Sequence, residues 1–501
     1  MKITPEDFLD RKWPTLSITK KIESRNLSDL LVLTSVEGKM PNAPKEWSDE
    51  VKLVEDEFKG KEGQLIFLYK NGKKEKRLAL LGLGKKEKIE KRSLQKAFFE
   101  LASHLNEKEL SKVSVVVPTD TTLKTEEVLQ AVADGLLLGS YIFPFHKGKT
   151  DEKEKKRVTS FALIGADEKW LSDLKERETV ARAVFFSQDL INANADLITP
   201  GFLGKCAQAI AKRHKEIKAK VWTKAQAEKA GWGLFLAVGQ GSIKSEPVVI
   251  EASYTAGKAK KGRHTLLVGK GITFDTGGLN LKPTGGMETM KCDMSGAAIT
   301  LATMWAAAML KMPVQLSLLI PSTENPIGPD SFKPGDVFTS YLGKTVEITN
   351  TDAEGRLILA DALAWGEKNL KPDQIIDLAT LTGACAVALG PECAGLFSND
   401  DKLAAKIVEA GQNSGELLWR LPLIESYKKQ QLKSHVADIA NAGGREGGAI
   451  TAALFLQTFV TKTPWAHLDI AGCAYTKYVA PPYPKHATGY GVRLLIDFLK
   501  I

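Results

Sequence analysis

The stretch HTLLVGKGITFDTGGLNLKP, His264 to Pro283, sets two short apolar runs against isolated charges. Lys270 closes LLVG, Asp275 closes ITF, and Lys282 follows a Gly-Gly turn. Short apolar runs punctuated by glycine read as buried strands. A charge at the end of such a run is costly unless something pairs with it. Open α/β sheets carry their sites just beyond the ends of their strands. The stretch therefore predicts an α/β fold with its chemistry gathered at strand ends.

The same alternation continues on both sides. Upstream, LLVLTSV (Leu30–Val36), LIFLYK (Leu65–Lys70), RLALLGLG (Arg77–Gly84), KVSVVVP (Lys112–Pro118) and SFALIGA (Ser160–Ala166) read as buried strands. Helical segments are expected near Ser93–His104 and Glu126–Leu138, and the charged GKTDEKEKKR (Gly148–Arg157) as a surface loop. Residues 1–166 thus form a smaller α/β unit. A long helical pattern over 167–197 is expected to connect it onward, stopped by the proline and glycine of ITPG (Ile198–Gly201). From 198 to 501, VVIEASY, HTLLVGKGITF, VQLSLLIP, TVEIT, IIDLAT and WAHLDIAG read as strands. Helices are expected around Ala297–Leu310, Leu357–Lys368 and Ala449–Val460. A chain of 501 residues has room for both units.

Composition excludes several classes. At 43% hydrophobic and 26% charged, the chain has material for a sizeable core and no disordered bias. The N-terminal MKITPEDFLD is acidic where a signal peptide needs an apolar run. The longest nearly apolar stretch, from Thr300, falls well short of the ~20 residues that span a bilayer. Five scattered cysteines without CxxC pairing argue against a disulfide framework or thiolate zinc site, and fit a reducing cytoplasm. The net charge of +9 gathers in KNGKKEKR (Lys70–Arg77) and GKKEKIEKR (Gly84–Arg92), where interrupting glutamates favour solvated surface over a nucleic-acid patch. No Gly-x-Ser-x-Gly elbow, phosphate-binding GxxxxGK[ST] or HExxH is present.

A second polar cluster is NTDAEGRLILAD, Asn350 to Asp361. Asp352 and Glu354, two apart, are expected on one side of an extended turn. With Asp275 and Asp293 they make four carboxylates, joined by Lys270, Lys282 and Arg356. Carboxylates brought together repel and take up protons unless cations intervene. Two divalent ions would neutralise four negative charges, and oxygen-rich sites suit magnesium, manganese or zinc. Such a pair makes a hydrolytic centre. Gly277, Gly278 and Gly355 would let the backbone turn close to it. Arg356 stays protonated, so its use is to hold an anion or balance negative charge. Singly, each residue has an ordinary reading: a helix N-cap, a turn aspartate at Asp275, surface lysines, or an Arg356–Glu354 pair.

NTDAEGRLILADAL and VGKGITFDTGGLNLKP resemble the hallmark segments of the leucyl (cytosol) aminopeptidase family. DLATLTGA (Asp377–Ala384), DIANAGGREGGAITAALFL (Asp438–Leu456), WAHLDIAG (Trp465–Gly472) and ATGYGVRLL (Ala487–Leu495) extend the resemblance from about residue 170 onward. It implies a macrodomain-like N-terminal α/β unit and a catalytic domain with a mixed central sheet. It also implies two divalent ions per subunit, Mn2+ or Zn2+ with Mg2+ as a further candidate. Asp275, Asp352 and Glu354 would hold the more exchangeable ion, and Lys270, Asp275, Asp293 and Glu354 the tighter one. Lys282 would polarise the scissile carbonyl, and Arg356 would hold a bicarbonate acting as general base. Asp293 would also meet the α-amine of a peptide with a free N-terminus. Met290, Thr380, Gly383 and Ala471 would line a pocket for leucine-like side chains. Thr276, Ser295 and Ala474 depart from the residues common in the family, and Ala474 leaves side-chain preference open. The resemblance further implies a cytoplasmic homohexamer; DNA binding is the rival that the positive charge permits.

Overall fold

The computed structural model describes residues 3–70, 75–145, 157–256, 264–478 and 481–501. Most of the loop expected over Gly148–Arg157, and part of the basic run Lys70–Arg77, lie outside the described residues. The chain divides into two compact units. One comprises Arg11–Arg182 with Val479–Pro484; the other comprises Met1–Asp10, Ala183–Tyr478 and Lys485–Ile501.

The smaller unit holds strands β1 (Thr15–Thr19), β2 (Leu30–Ser35), β3 (Leu65–Tyr69), β4 (Arg77–Gly82), β5 (Lys112–Val116) and β6 (Ser160–Ile164) in the order β1-β6-β5-β2-β4-β3. All pairs are parallel except β3 with β4. β2 is buried along its first four residues, as a strand covered on both faces must be. Helices Lys91–Leu105 and Thr125–Gly139 turn their apolar faces inward. In the second basic run Lys86 pairs with Asp120 at 2.5 Å, and Lys39 reaches the same carboxylate at 2.6 Å.

The long helix runs Leu171–Asn192. Pro200 and Gly201 do not stop it; they open the next helix, Pro200–Arg213. Proline suits the first helical turn because its missing N–H would have had no partner there, and Thr199 caps Phe202 N–H at 3.3 Å.

The larger unit is built on strands β7 (Ile217–Trp222), β8 (Val248–Thr255), β9 (His264–Gly269), β10 (Gly271–Asp275), β11 (Gln315–Asn325), β12 (Val337–Thr339), β13 (Thr345–Glu347), β14 (Gln374–Ala379), β15 (Cys393–Ser398), β16 (Leu417–Arg420), β17 (Ile439–Ala440) and β18 (Trp465–Asp469). Its main sheet runs β16-β15-β18-β14-β9-β11-β8-β7, with β10 also on β11. The centre, β18-β14-β9-β11, is parallel, and β15–β18, β11–β8 and β8–β7 are antiparallel. This is the expected α/β class with a mixed sheet. β12, β13 and β17 form a small separate sheet.

The run read as one strand over 264–274 breaks at Lys270. β9 pairs with both β14 and β11, whereas β10 continues along β11 alone, through an irregularity between Ile272 and Asp275. Behind the sheet, helix Glu354–Leu370 packs into a core where Trp365 meets Trp222 edge-on at 5.0 Å and Trp232 at 6.0 Å. Among the described residues, no helix is long and apolar enough to cross a membrane. All five cysteines are free thiols, four of them buried.

The same helix carries Glu367, whose carboxylate accepts from the N–H groups of Thr461 (2.8 Å), Lys462 (2.9 Å) and Thr463 (2.8 Å) and from the Thr461 hydroxyl (2.7 Å). Burial opposes its ionisation, but those donors outweigh it and hold the carboxyl at about 2. Its contribution is present above the ordinary glutamate value and is lost as pH falls toward 2. Glu367→Gln turns an amide N–H toward N–H donors. It should cost about 2 kcal/mol in urea unfolding at pH 7, with the gap to wild type closing between pH 4.5 and 2.

Candidate metal centre

Four segments bring the charged side chains together. Lys270 sits in the break between β9 and β10, its N–H donating to the Leu378 carbonyl (3.0 Å) and its own carbonyl accepting from Ala297 N–H (2.9 Å). Asp275 ends β10. Asp293 lies in the 3-10 turn Met290–Met294 that leads into helix Ser295–Met309. It caps nothing, because Met294 holds the N-cap position. Glu354 is the first residue of helix Glu354–Leu370.

The extended turn expected over Asp352–Glu354 is not formed. Asn350 Oδ1 accepts from Asp352 N–H at 2.9 Å and folds the turn, and the helix then starts at Glu354. Asp352 and Glu354 consequently differ in environment: Glu354 is 1% exposed, whereas the Asp352 side chain is 32% exposed.

Oxygens of Asp275, Asp293 and Glu354 all lie within 4.8 Å of one another. Lys270 Nζ stands 2.8 Å from Asp293 Oδ1 and 2.9 Å from Glu354 Oε1, and it donates to the Thr380 carbonyl at 3.0 Å. Lys282 Nζ stands 2.8 Å from Asp275 Oδ2 and also pairs with Asp352, tying that residue to the cluster. Neither lysine is a surface residue: Lys270 is 3% exposed and the Lys282 side chain 15%.

The electrostatics are those of an anion excess. Burial, reinforced by Glu354, pushes Asp275 up to about 6 against the pull of Lys282 and Lys270. Burial also raises Asp293 and Asp352. Glu354 goes the other way: burial is outweighed by Lys270 and Lys282, and its carboxyl lies below the usual range. For both lysines burial disfavours the charge, but the surrounding carboxylates win and hold the ammonium forms.

Among the described residues, Asp293 Oδ2 is buried without a hydrogen bond, and Glu354 Oε1 is buried with only the ion pair to Lys270 at 2.9 Å, outside hydrogen-bonding geometry. Buried acceptors left in this way are expensive. Oxygen donors at this spacing fit a divalent cation.

Arg356 is buried two residues beyond Glu354. Its Nη1 donates to the Asn441 carbonyl at 2.9 Å, and its buried Nε has no partner among the described residues. Burial pulls the guanidinium down to about 10, against Glu354 and Asp469, so it stays cationic at neutral pH. It lines a cavity of about 180 Å³ with Asp352, Thr382, Gly383, Gly443 and Thr451. Gly383 belongs to that lining; Met290, Thr380 and Ala471 do not. Thr380 instead donates through Oγ1 to Asp293 Oδ1 at 2.7 Å, and Ala471 N–H reaches Asp469 Oδ1 at 3.2 Å. Met290 opens the turn that carries Asp293, and Ala474 is buried.

Glycine serves two different purposes here. Gly277 and Gly278 have φ of +85° and +65°, which L side chains rarely adopt, so the loop from Asp275 to Lys282 depends on them. Gly355 is helical, and a Cβ there would lie 2.5 Å from Lys270 Cε and 2.7 Å from Nζ.

Three further polar residues complete the site without having been anticipated. Asn325 Nδ2 donates to Asp275 Oδ1 at 2.8 Å. Asn441 Oδ1 accepts from Thr349 N–H at 2.8 Å, and its Nδ2 donates to the Asn350 carbonyl at 2.7 Å, holding the turn before Asp352. Asp469, at the end of β18, accepts from Thr382 Oγ1 at 2.6 Å and from Leu381 N–H at 3.2 Å. Asp469 obeys the same rule that marked Asp275, a charge closing an apolar strand.

The chain that carries this lysine–carboxylate cluster has relatives among known proteins. The model described as the cytosol aminopeptidase family, catalytic domain, matches residues 185–496, and that of the family's N-terminal domain matches residues 49–150. The chain belongs to the cytosol aminopeptidase family and is a hydrolase of the aminopeptidase class. It is 46% identical over 492 residues to a probable cytosol aminopeptidase of Protochlamydia amoebophila, covering 97% of this chain and 98% of the relative. The corresponding figures for the Chlamydia abortus probable cytosol aminopeptidase are 43% over 462 residues, 91% and 92%. Among solved structures, a mutant of tomato leucine aminopeptidase superposes with TM-score 0.86 at 32% identity, covering 98% and 97% of the two chains. The bottromycin maturation enzyme BotP in complex with Mn gives 0.83 at 30%, covering 94% and 99%.

Gly355→Ala should push Lys270 aside without touching the apolar core. Peptidase activity is expected to fall at least ~10-fold, the scale of a misplaced active-site group, while the melting temperature in chelator changes little. Unaltered activity would mean that Lys270 tolerates another position.

Proposed function

We propose that this chain is a metal-dependent aminopeptidase that removes the first residue of peptides with a free N-terminus, with leucine-like residues preferred. The observation that carries the reading is the buried group of Asp275, Asp293 and Glu354 with Lys270 among them. Asp275, Asp293, Asp352 and Glu354 would hold two divalent cations, Mn2+ or Zn2+ with Mg2+ as the alternative, joined by Lys270 as the neutral amine, its proton driven off by the incoming positive charge. When bound, such ions polarise a carbonyl and lower the pKa of water. The manganese complex of BotP supports this choice of cofactor.

The chain's own side chains supply the rest. Lys282, held charged between Asp275 and Asp352, is the group that turns to the scissile carbonyl and stabilises the oxyanion developing there. Arg356 offers an unpartnered Nε beside a cavity, which suits a small planar anion. Arg356 would hold a bicarbonate there, and that anion would supply the proton acceptor that a guanidinium cannot be. Asp293 would orient the substrate's α-ammonium and so restrict cleavage to the amino end. Gly383 leaves open space where a Cβ would stand, which fits a wall that faces substrate. An apolar subsite discriminates by only about 1–3 kcal/mol per methylene, so leucine preference is expected to be graded. A homohexamer in the cytoplasm belongs to the same reading and rests on family membership.

Chelation should abolish leucine p-nitroanilide hydrolysis, and added Mn2+ or Zn2+ should restore it. Glu354→Ala should eliminate activity with circular dichroism unchanged; an active variant would refute the assignment. Lys282→Ala should reduce kcat by about 10²–10³-fold with bound metal nearly unchanged. Metal loss in that variant would instead make Lys282 a ligand.

A further inference from the structure

We infer that Asn325 is a positioning residue that commits Asp275 to meet cations through Oδ2 alone. The inference rests on Asp275 being a metal ligand, as proposed above. Asp275 and Asn325 are register partners at the ends of β10 and β11, just past the irregularity that shifts the pairing. Asn325 is fully buried. Its Nδ2 donates to Asp275 Oδ1 at 2.8 Å and to the Thr351 carbonyl at 3.1 Å. Two acceptors on that side fix which end of the amide is nitrogen, since an oxygen there would face two oxygens.

Asp275 Oδ1 takes a second hydrogen bond from Gly277 N–H at 2.9 Å. That oxygen is thereby occupied by two neutral donors, while Oδ2 faces Lys282 at 2.8 Å. The carboxylate cannot rotate to offer Oδ1 to a cation without breaking both bonds. Because Nδ2 also holds Thr351, one residue before Asp352, a single side chain fixes the spacing of two acidic loops. The Asn325 backbone contributes too: its carbonyl accepts from Thr276 Oγ1 (2.7 Å) and N–H (3.1 Å), anchoring the start of the Asp275 loop. A backbone bond survives side-chain substitution, so the two roles are separable.

Groups that orient metal ligands from behind typically account for 10–100-fold in metal affinity. Calorimetric titration of the chelator-stripped full-length protein with Mn2+ tests the assignment. Asn325→Ala should raise the Kd of at least one bound ion 10–100-fold, with the variant still folded by circular dichroism at the titration temperature. Thr351→Val is the companion variant: it removes the hydroxyl bonds to the Gly277 carbonyl (2.7 Å) and Asn280 (2.8 Å) but leaves the Asn325–Asp275 bond. It should lower the melting temperature and leave the Kd within about threefold of wild type. Equal Mn2+ affinity in Asn325→Ala and wild type would overturn the inference, as would an equal loss in Thr351→Val. Wild-type protein that binds no Mn2+ would overturn the metal reading itself.

Discussion

Three carboxylates with oxygens within 4.8 Å of one another, each no more than 3% exposed, set the terms for everything around them. At about 4 Å and an effective dielectric near 20, each ionised pair repels by about 4 kcal/mol. Three such pairs approach the whole stability of a typical domain, about 5–15 kcal/mol. The chain answers with two lysines threaded between the acids, Lys270 to Asp293 and Glu354, Lys282 to Asp275 and Asp352. Four carboxylates against two ammoniums still leave anionic excess, and burial first, with neighbouring carboxylates adding to it, raises Asp275, Asp293 and Asp352. A protein kept only for stability would have little reason to assemble this; one that gathers divalent cations would.

The fold makes the assembly possible by ending strands at one place. The break at Lys270 lets one run of chain present two charged residues, Lys270 toward Asp293 and Glu354, and Asp275 toward Lys282. β11 is long enough to pair with β9 and then β10, so that Asn325 arrives opposite Asp275. Helix Glu354–Leu370 packs its apolar side on the tryptophan cluster and offers its first turn to the site. Stability and chemistry thus share one helix, with Glu354, Gly355 and Arg356 at one end and Glu367 at the other.

Much of this is legible in the residues. The strands at Leu30, Arg77, Lys112, Gln315 and Gln374 announce themselves by apolar runs, and the charges closing those around Lys270 and Asp275 mark the site. β1, β7 and β16 escape: TLSIT and IKAKVW alternate polar with apolar residues instead of forming apolar runs, and LLWR is only four residues long. The conformation of Asp352–Glu354 is misjudged for a local reason: Asn350 folds the turn through its own side chain, which spacing alone does not reveal. Asn325 is silent for a different reason. Its meaning depends on a partner fifty residues away in sequence and on a shift in strand pairing between them. A neutral amide at the end of a strand carries no charge to flag it.

Anomalous diffraction from crystals grown with Mn2+ tests most directly the claim that paired cations stabilise the acidic cluster. Two peaks are expected between Asp275 and Glu354, one on the side of Lys270 and Asp293, the other on the side of Asp352. Manganese absent from this cluster at saturating concentration, in protein that still cleaves leucine p-nitroanilide, would contradict it.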